Sequence, residues 1–324
     1  MNTATLVAPA GGWRQPDGLP VDWPHRESSR AIAVGGLLWH LQWLPAPDAT
    51  SPLLVLLHGT GASVHSWAGV IDALRGKVPL LAIDLPGHGH TTGAAQDGLG
   101  FRAMATALEA LLRALGVRGS VVVAGHSAGA PVALDWAGLQ PPKACGSFAI
   151  SAVVGLNPSL VPPPALYNRL LGPLLSPLAT ARPTASVLGR LAGSTALIDQ
   201  LLHSTGTPLS PTQRQRYREL FARPDHVRGA LGFMAAADLP ALLQRCARPA
   251  VPFHCLVAED DPWVRSQPLR RVLAEHFPRA VIRCERGGHL LHEAQPARAA
   301  AWLQDILETL SAGGQHQPPG FAGA

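Results

Sequence analysis

The chain has 324 residues, 47% hydrophobic and 15% charged, a balance that can bury a large core and excludes disorder as its overall state. Its net charge of +5 rests almost wholly on arginine, since Lys77 and Lys143 are the only lysines, and no basic run of the nucleic-acid-binding kind occurs. No early apolar stretch resembles a signal peptide and no run of about 18 apolar residues suggests a membrane span, so a cytoplasmic protein is expected.

Residues 1–24 are rich in Gly and Pro and are expected to wrap the surface. Arg30 to Val34 and Leu37 to Trp43 read as strands joined at Gly35-Gly36, a hairpin signal. Leu53 to His58 reads as a buried strand, Ser66 to Leu74 as a helix and Val78 to Asp84 as the next strand. Phe101 to Leu115 places Met104, Leu108, Leu111, Leu112 and Leu115 at helical spacing. A strand at Val121 to Ala124, a helix at Ala130 to Leu139 and a strand at Gly146 to Val154 follow. The alternation breaks over 157–245. That stretch carries proline clusters and apolar helical pieces at Leu166 to Leu171, Ser186 to Leu191, Pro211 to Phe221 and His226 to Met234. It resumes with strands at Val251 to Ala258 and Ala280 to Glu285 and ends in a helix over Ala297 to Leu310. Strands alternating with helices predict a mostly parallel sheet covered on both faces.

Between the strand at Val121 and the helix at Ala130 lies Gly125-His126-Ser127-Ala128-Gly129. Gly-x-Ser-x-Gly at a strand-to-helix turn is the nucleophile-elbow pattern: flanking glycines allow a tight, strained turn that exposes the serine hydroxyl. A serine hydroxyl is a weak nucleophile until a histidine takes its proton, and a carboxylate must hold that histidine in the useful tautomer. The partners occur in the required order. Glu259-Asp260-Asp261 ends one strand, and Gly287-Gly288-His289 follows the last. Ser127 is therefore the candidate nucleophile, His289 the base and Asp261 the orienting acid. Asp261 stands where the chain turns away at Pro262-Trp263-Val264, and Asp260 is the runner-up. Upstream, His58-Gly59-Thr60-Gly61 leaves a strand tip, so the Thr60 and Ala128 backbone N–H groups are the candidate oxyanion hole.

Plainer readings stand beside these. Ser127 could be an ordinary helix N-cap, and His292 competes with His289. Glu259 and Asp260 read as solvated loop charges, and His58, His88 and His126 as structural or supporting groups. Cys145, Cys246, Cys255 and Cys284 are widely spaced with no Cys-x-x-Cys, so buried thiols are expected rather than a metal site or disulfide framework. No cofactor and no metal is expected. The segment 157–245 is the expected cap over the nucleophile. Leu160, Leu166, Leu170, Leu174, Phe221 and Met234 are candidate pocket lining, each with simple packing as the alternative. The expected organisation is an N-terminal arm over 1–27, a core over 28–156 and 246–311, a helical cap over 157–245 and a disordered tail over 312–324.

From about residue 28 to 310 these motifs resemble the α/β-hydrolase superfamily. Further segments are similar to one subgroup, the magnesium chelatase accessory proteins of bacteriochlorophyll biosynthesis. They are Asp22-Trp23-Pro24-His25-Arg26, Gly35-Gly36-Leu37 with Trp39-His40, and His58-Gly59-Thr60-Gly61-Ala62-Ser63 with His65-Ser66-Trp67. Asp84-Leu85-Pro86-Gly87-His88-Gly89 and His226-Val227-Arg228-Gly229-Ala230-Leu231-Gly232 complete the set. The match is looser at Asn157-Pro158-Ser159, where a small residue is expected after the Asn, and at Ala258, which takes a usual glycine place. The resemblance implies an α/β-hydrolase fold, with an eight-stranded, mostly parallel sheet, helices on both faces and an inserted helical cap. It also implies a role near magnesium insertion into protoporphyrin, with chelatase subunits as candidate partners. The Gly59 loop lacks the phosphate-binding lysine of a chelatase motor, so that role is auxiliary.

Two classes of function stay open. One is a serine hydrolase of an ester or acyl bond in a tetrapyrrole or other apolar substrate, a general esterase unrelated to pigment included. The other is a non-catalytic accessory protein that holds a porphyrin or a chelatase subunit. Haloalkane and epoxide hydrolases use an Asp nucleophile and do not fit Ser127. Haloperoxidase-like and carbon–carbon hydrolase variants keep Ser and stay open.

Overall fold

The computed structural model describes residues 13–46, 51–140, 148–162 and 195–313. Eight strands form one sheet: β1 (Ser29–Val34), β2 (Leu37–Leu44), β3 (Leu53–Leu57), β4 (Leu80–Ile83), β5 (Gly119–His126), β6 (Phe148–Leu156), β7 (Phe253–Ala258) and β8 (Val281–Glu285). Their order is β1-β2-β4-β3-β5-β6-β7-β8. β2 runs antiparallel to β1 and β4, and every other pairing is parallel. The eight-stranded, mostly parallel sheet matches the expectation, and Gly35 and Gly36 make the first hairpin turn with positive φ.

The strands sort their side chains by the two-residue period of the pleat. Leu53, Val55, Leu57, Val121 and Val123 face one core, with α2 (Phe101–Ala114), α3 (Gly129–Ala137) and α8 (Ser266–His276). Leu54, Leu56, Val122, Ala124 and Val154 face the other, with α1 (Ala68–Leu74) and α10 (Pro296–Gly313). Helices thus cover both faces, which is why the central strands read as continuous apolar runs.

Most elements start or stop within a few residues of their predicted bounds. The helix expected from Ser66 begins instead as a 3-10 turn over Val64–Trp67 and becomes α1 at Ala68. Asp84 explains the tight entry: its buried carboxylate accepts from Val64 N at 2.7 Å, and from His90 N and His40 Nδ1, each at 2.7 Å. One side chain therefore ties the β4 loop to the first helical turn and to β2.

Between β6 and β7 the chain forms α4 (Thr195–His203), α5 (Pro211–Phe221), α6 (Pro224–Ala236) and α7 (Leu239–Cys246). Ser210 caps α5 through a reciprocal bond pair with Gln213, and Pro211 holds the first position. The bounds of α5 agree with the predicted ones, and α6 extends the predicted helix at both ends. α7 differs in character. Leu242 and Cys246 lie in the main core, so this helix serves the sheet as the crossover before β7. Leu166, Leu170, Leu174 and the helical pieces around them, Cys145, and the tail from 314 fall outside the described residues.

The N-terminal arm meets the helical segment. Arg216 of α5 pairs with Asp22 and with Glu219, and its guanidinium lies 5.9 Å from the Trp23 ring centre. Trp23 is buried and packs edge-on against His90. Asp22-Trp23 therefore fastens α5 to the β4 loop.

Candidate active site

β5 delivers Ser127 at the carboxyl end of the sheet, in the left-handed region at φ 49. Holding a non-glycine residue there costs roughly 1–3 kcal/mol and persists only where the surroundings over-determine it. Here they do. Ser127 N donates to Leu156 O (3.0 Å), and Ser127 O accepts from Ala130 N (3.2 Å) and Ser159 N (3.0 Å). The flanking glycines answer to close approach: a Cβ on Gly129 would lie 2.6 Å from both Leu57 O and His58 O, and one on Gly125 would lie 2.4 Å from Ala130 N.

Ser127, His289 and Asp261 come together. His289 Nε2 lies 3.0 Å from Ser127 Oγ, and His289 Nδ1 lies 2.7 Å from Asp261 Oδ2. Asp261 Oδ1 accepts from the backbone N–H of Trp263 (2.7 Å) and Val264 (2.9 Å), so both carboxylate oxygens are occupied and the side chain is fully buried. The turn at Pro262-Trp263-Val264 thus supplies the donors that aim the acid. Asp260, the runner-up, points away, with its side chain 51% exposed beside Arg286. Glu259 faces the same arginine. His292 is also set aside by position: it is buried behind the site, 4.2 Å ring to ring from His126 and 4.7 Å from Trp67.

The backbone of His289 is clamped from three sides. Its N–H donates to Thr205 O (2.9 Å), and its carbonyl accepts from His126 Nε2 (2.9 Å) and Asn157 Nδ2 (3.0 Å). Asn157 Oδ1 accepts from Ala258 N at 2.8 Å. One amide therefore joins the β7 tip to the histidine loop. His126 stays neutral, because burial first and then the neighbouring His292 and His289 hold its pKa well below the usual histidine range. A neutral ring with its proton on Nε2 is the form that can donate to the His289 carbonyl.

The His58–Gly61 loop passes directly over Ser127; a Cβ on Gly59 would lie 3.0 Å from Ser127 Cβ. Two histidines hold this loop. His58 Nε2 accepts from Leu85 N (3.0 Å), leaving Nδ1–H to donate to Gly59 O (2.8 Å). His226 Nδ1 accepts from Gly89 N (2.9 Å), leaving Nε2–H to donate to Gly61 O (3.2 Å). The second bond comes from α6, so the helical segment helps fix the loop beside Ser127. Of the candidate lining residues, Leu160 is fully buried in the core and Phe221 packs on the cluster that α4 and α5 form with Ala62 and Leu290. The Phe221 ring also stands against the loop beside Ser127, 3.0 Å from where a Cβ on Gly61 would lie. Met234 is half-buried on α6.

Sequence reasoning missed Asn157 and Ser159 as site residues. Ser159 Oγ lies 2.9 Å from Ser127 Oγ. Asn157-Pro158 after a strand was the available signal, but the positive φ of Asn157 that turns the chain back over Ser127 is a tertiary outcome.

The short helix after His289, α9 (Leu291–Ala294), holds a buried acid. Tyr217 of α5 donates its hydroxyl to Glu293 Oε1 at 2.5 Å. Burial pushes the Glu293 carboxyl up to about 8, the Tyr217 hydrogen bond opposing it. The folded protein then keeps this proton up to about pH 8, whereas an unfolded chain releases it near 4.3, so stability falls as pH rises through that window. Glu293→Gln keeps an acceptor for Tyr217 and removes the titration. Thermal melts of the two proteins should agree at pH 5, and at pH 8 the variant should be the more stable by roughly 2–4 kcal/mol. Parallel melting curves across that range would refute the assignment.

Comparison with known proteins follows this geometry. The sequence matches the alpha/beta hydrolase family over residues 54–302. The Magnesium-chelatase 30 kDa subunit of Rhodobacter capsulatus is 32% identical over 293 residues, 90% of this chain and 99% of that protein. Among solved structures, the enol-lactonase from Burkholderia xenovorans LB400 covers 86% of this chain and 99% of its own at 19% identity and a TM-score of 0.66. The haloalkane dehalogenase DatA from Agrobacterium tumefaciens C58 covers 87% and 96% at 19% identity and a TM-score of 0.69. A lactonase and a dehalogenase are different chemistries on one architecture, so the likeness speaks to fold alone. By sequence match, sheet order and strand-to-helix elbow, the chain belongs to the alpha/beta hydrolase family.

Proposed function

We propose that this protein is a serine hydrolase that cleaves an ester or related acyl bond in an apolar substrate, in an accessory role in bacteriochlorophyll synthesis at the magnesium–protoporphyrin stage. The observation that carries the chemistry is the chain Ser127 Oγ, His289 Nε2, His289 Nδ1, Asp261 Oδ2, at 3.0 and 2.7 Å. Asp261 keeps the proton on Nδ1, so Nε2 takes the Ser127 proton as Oγ attacks the acyl carbon. The electron pair displaced from the carbonyl goes to its oxygen, for which the N–H groups of Thr60 and Ala128 are the donors. Ala128 is the N-cap of α3, so its N–H lies at the positive end of that helix. His289 then passes its proton to the leaving group. Water attacks the acyl-Ser127 ester by the same route in reverse.

The accessory role is supported by the full-length likeness to the R. capsulatus magnesium-chelatase subunit. The same likeness favours a second reading, in which the protein binds a porphyrin or a chelatase subunit and the triad is inherited without use. No helix among the described residues is long and apolar enough to cross a membrane.

A fluorophosphonate should label the wild-type protein once, on Ser127, and leave Ser127→Ala unlabelled. A folded wild type that stays unlabelled would overturn the hydrolase reading. Pigment content then separates the two roles. In a phototrophic host lacking the gene, Ser127→Ala at matched protein level should fail to restore bacteriochlorophyll if serine chemistry is needed. Full restoration, with saturable porphyrin binding retained, would favour the binding role.

A further inference from the structure

We propose that Ser159 is a second hydroxyl of the reaction centre: its O–H, donated to Ser127 Oγ, assists departure of Ser127 Oγ from its acyl ester. This rests on the serine-hydrolase reading above. Ser127 Oγ has two polar neighbours, His289 Nε2 at 3.0 Å and Ser159 Oγ at 2.9 Å, and one proton. The Nδ1–H of His289 donates a hydrogen bond to the Asp261 carboxylate at 2.7 Å, so in the neutral ring Nε2 is bare and can only accept. The arrangement that satisfies both contacts has Ser127 donating to Nε2 and Ser159 donating to Ser127. The opposite arrangement, Ser127 donating to Ser159, leaves Nε2 without a proton and the nucleophile without its base.

The backbone position of Ser159 is fixed by several anchors. Ser127 N donates to Leu156 O, and Ser159 N donates back to Ser127 O, so the elbow and the end of β6 are stitched in both directions. Between them, Asn157 sits at φ 46 with its side chain anchored to the histidine loop and to β7. Pro158 fixes its own φ, and Leu160 is fully buried. The backbone of Ser159 cannot move away from Ser127 without loosening these anchors, which leaves only χ1 to bring Oγ against the nucleophile.

A donor on Oγ acts with opposite sign on the two half-reactions. It draws electron density from Oγ, which modestly slows attack and makes Oγ the better leaving group. In deacylation, water oxygen bonds to the acyl carbon while His289 Nε2 takes the water proton. The C–Oγ bond then breaks with its electron pair on Oγ, and His289 returns that proton to Oγ. Ser159 keeps its own proton throughout and holds the hydrogen bond as charge builds on Oγ. Its weight therefore falls on the second step.

The test uses full-length wild type, Ser159→Ala and Ser159→Thr with p-nitrophenyl butyrate in stopped flow, alongside fluorophosphonate labelling. The nitrophenolate burst reads acylation, and the steady state reads deacylation. Ser159→Ala is expected to lower the steady-state rate about tenfold, the effect of one lost hydrogen bond of about 1.4 kcal/mol in the transition state, with the burst rate kept or raised. Intact mass should then show acyl-enzyme accumulating. Ser159→Thr, which keeps the hydroxyl, is expected to restore turnover. If alanine prevents folding, Ser159→Cys, close in shape but a weak donor, should give the same split between phases. Equal rates in both phases for wild type and variant, or a joint fall of both with the melting temperature, overturn the proposal. A wild type with neither label nor burst overturns the hydrolase reading and this role together.

Discussion

Asp261→Asn should lower kcat/KM on an activated ester by about 10³–10⁴-fold while leaving the protein folded. The reason is tautomeric. Asp261 receives two backbone N–H bonds on Oδ1, from Trp263 and Val264, and faces His289 Nδ1 with Oδ2. Asparagine keeps the shape, and the turn donors hold its carbonyl oxygen, so its NH2 group is the one that meets Nδ1. Nδ1 must then be the bare acceptor, and the proton moves to Nε2, where it can no longer receive the one from Ser127. Asp260→Asn is the control. Its carboxylate is half-exposed beside Arg286 and accepts from Gly287 N. Loss of such an exposed charge should change turnover by no more than about two- to threefold. Initial rates with p-nitrophenyl butyrate, with circular dichroism to check folding, decide the matter. Equal losses in the two variants would show that the acid has been misassigned.

Gly229→Ala should destabilise the protein by about 2–3 kcal/mol or more, because the new methyl group meets backbone and not a movable side chain. A Cβ at position 229 would lie 1.8 Å from Gly87 O and 2.5 Å from Gly87 C. Relief requires α6 to lift from the loop after β4. That movement would break the His226 bonds to Gly89 N and Gly61 O and so disturb the loop beside Ser127. Melting temperature and ester turnover should therefore fall together, the former by roughly 4–8 °C. Gly98→Ala supplies the comparison, since a Cβ there meets nothing within 4 Å. Its melting temperature should stay within about 1–2 °C of wild type. An unchanged melting temperature in Gly229→Ala would mean that the helix–loop approach is not the constraint described.

Much of this molecule was legible before any coordinates. The alternation of apolar runs with helical spacing is local, and local pattern is enough to recover β3, β5, α2 and α5 with small errors at their ends. The triad residues were legible for a related reason. An elbow glycine pair, an acid at a strand tip and a histidine after the last strand are each set by the turn they occupy. The less legible parts share a different origin. Ser127 and His289 lie 162 residues apart, and the groups that position them come from yet other segments. Asn157 reaches the histidine loop because of a positive φ that no propensity for Asn-Pro announces. His226 reads as one histidine in a helix until α6 is laid across the β4 loop. α7 reads as part of the helical insertion, and only its contact with α3 makes it a core crossover.

The class of fold and the order of the candidate serine, acid and histidine are readable from the chain, because strand period, helix period and turn chemistry are short-range properties of neighbouring residues. Only the packed structure supplies what the sequence lacks: the two backbone donors that aim Asp261, the place of His292 against Trp67 and His126, and the approach of Ser159 to Ser127. Those features depend on which side of a turn a side chain leaves and on which backbone donors wait there. Such geometry exists only once distant segments have packed.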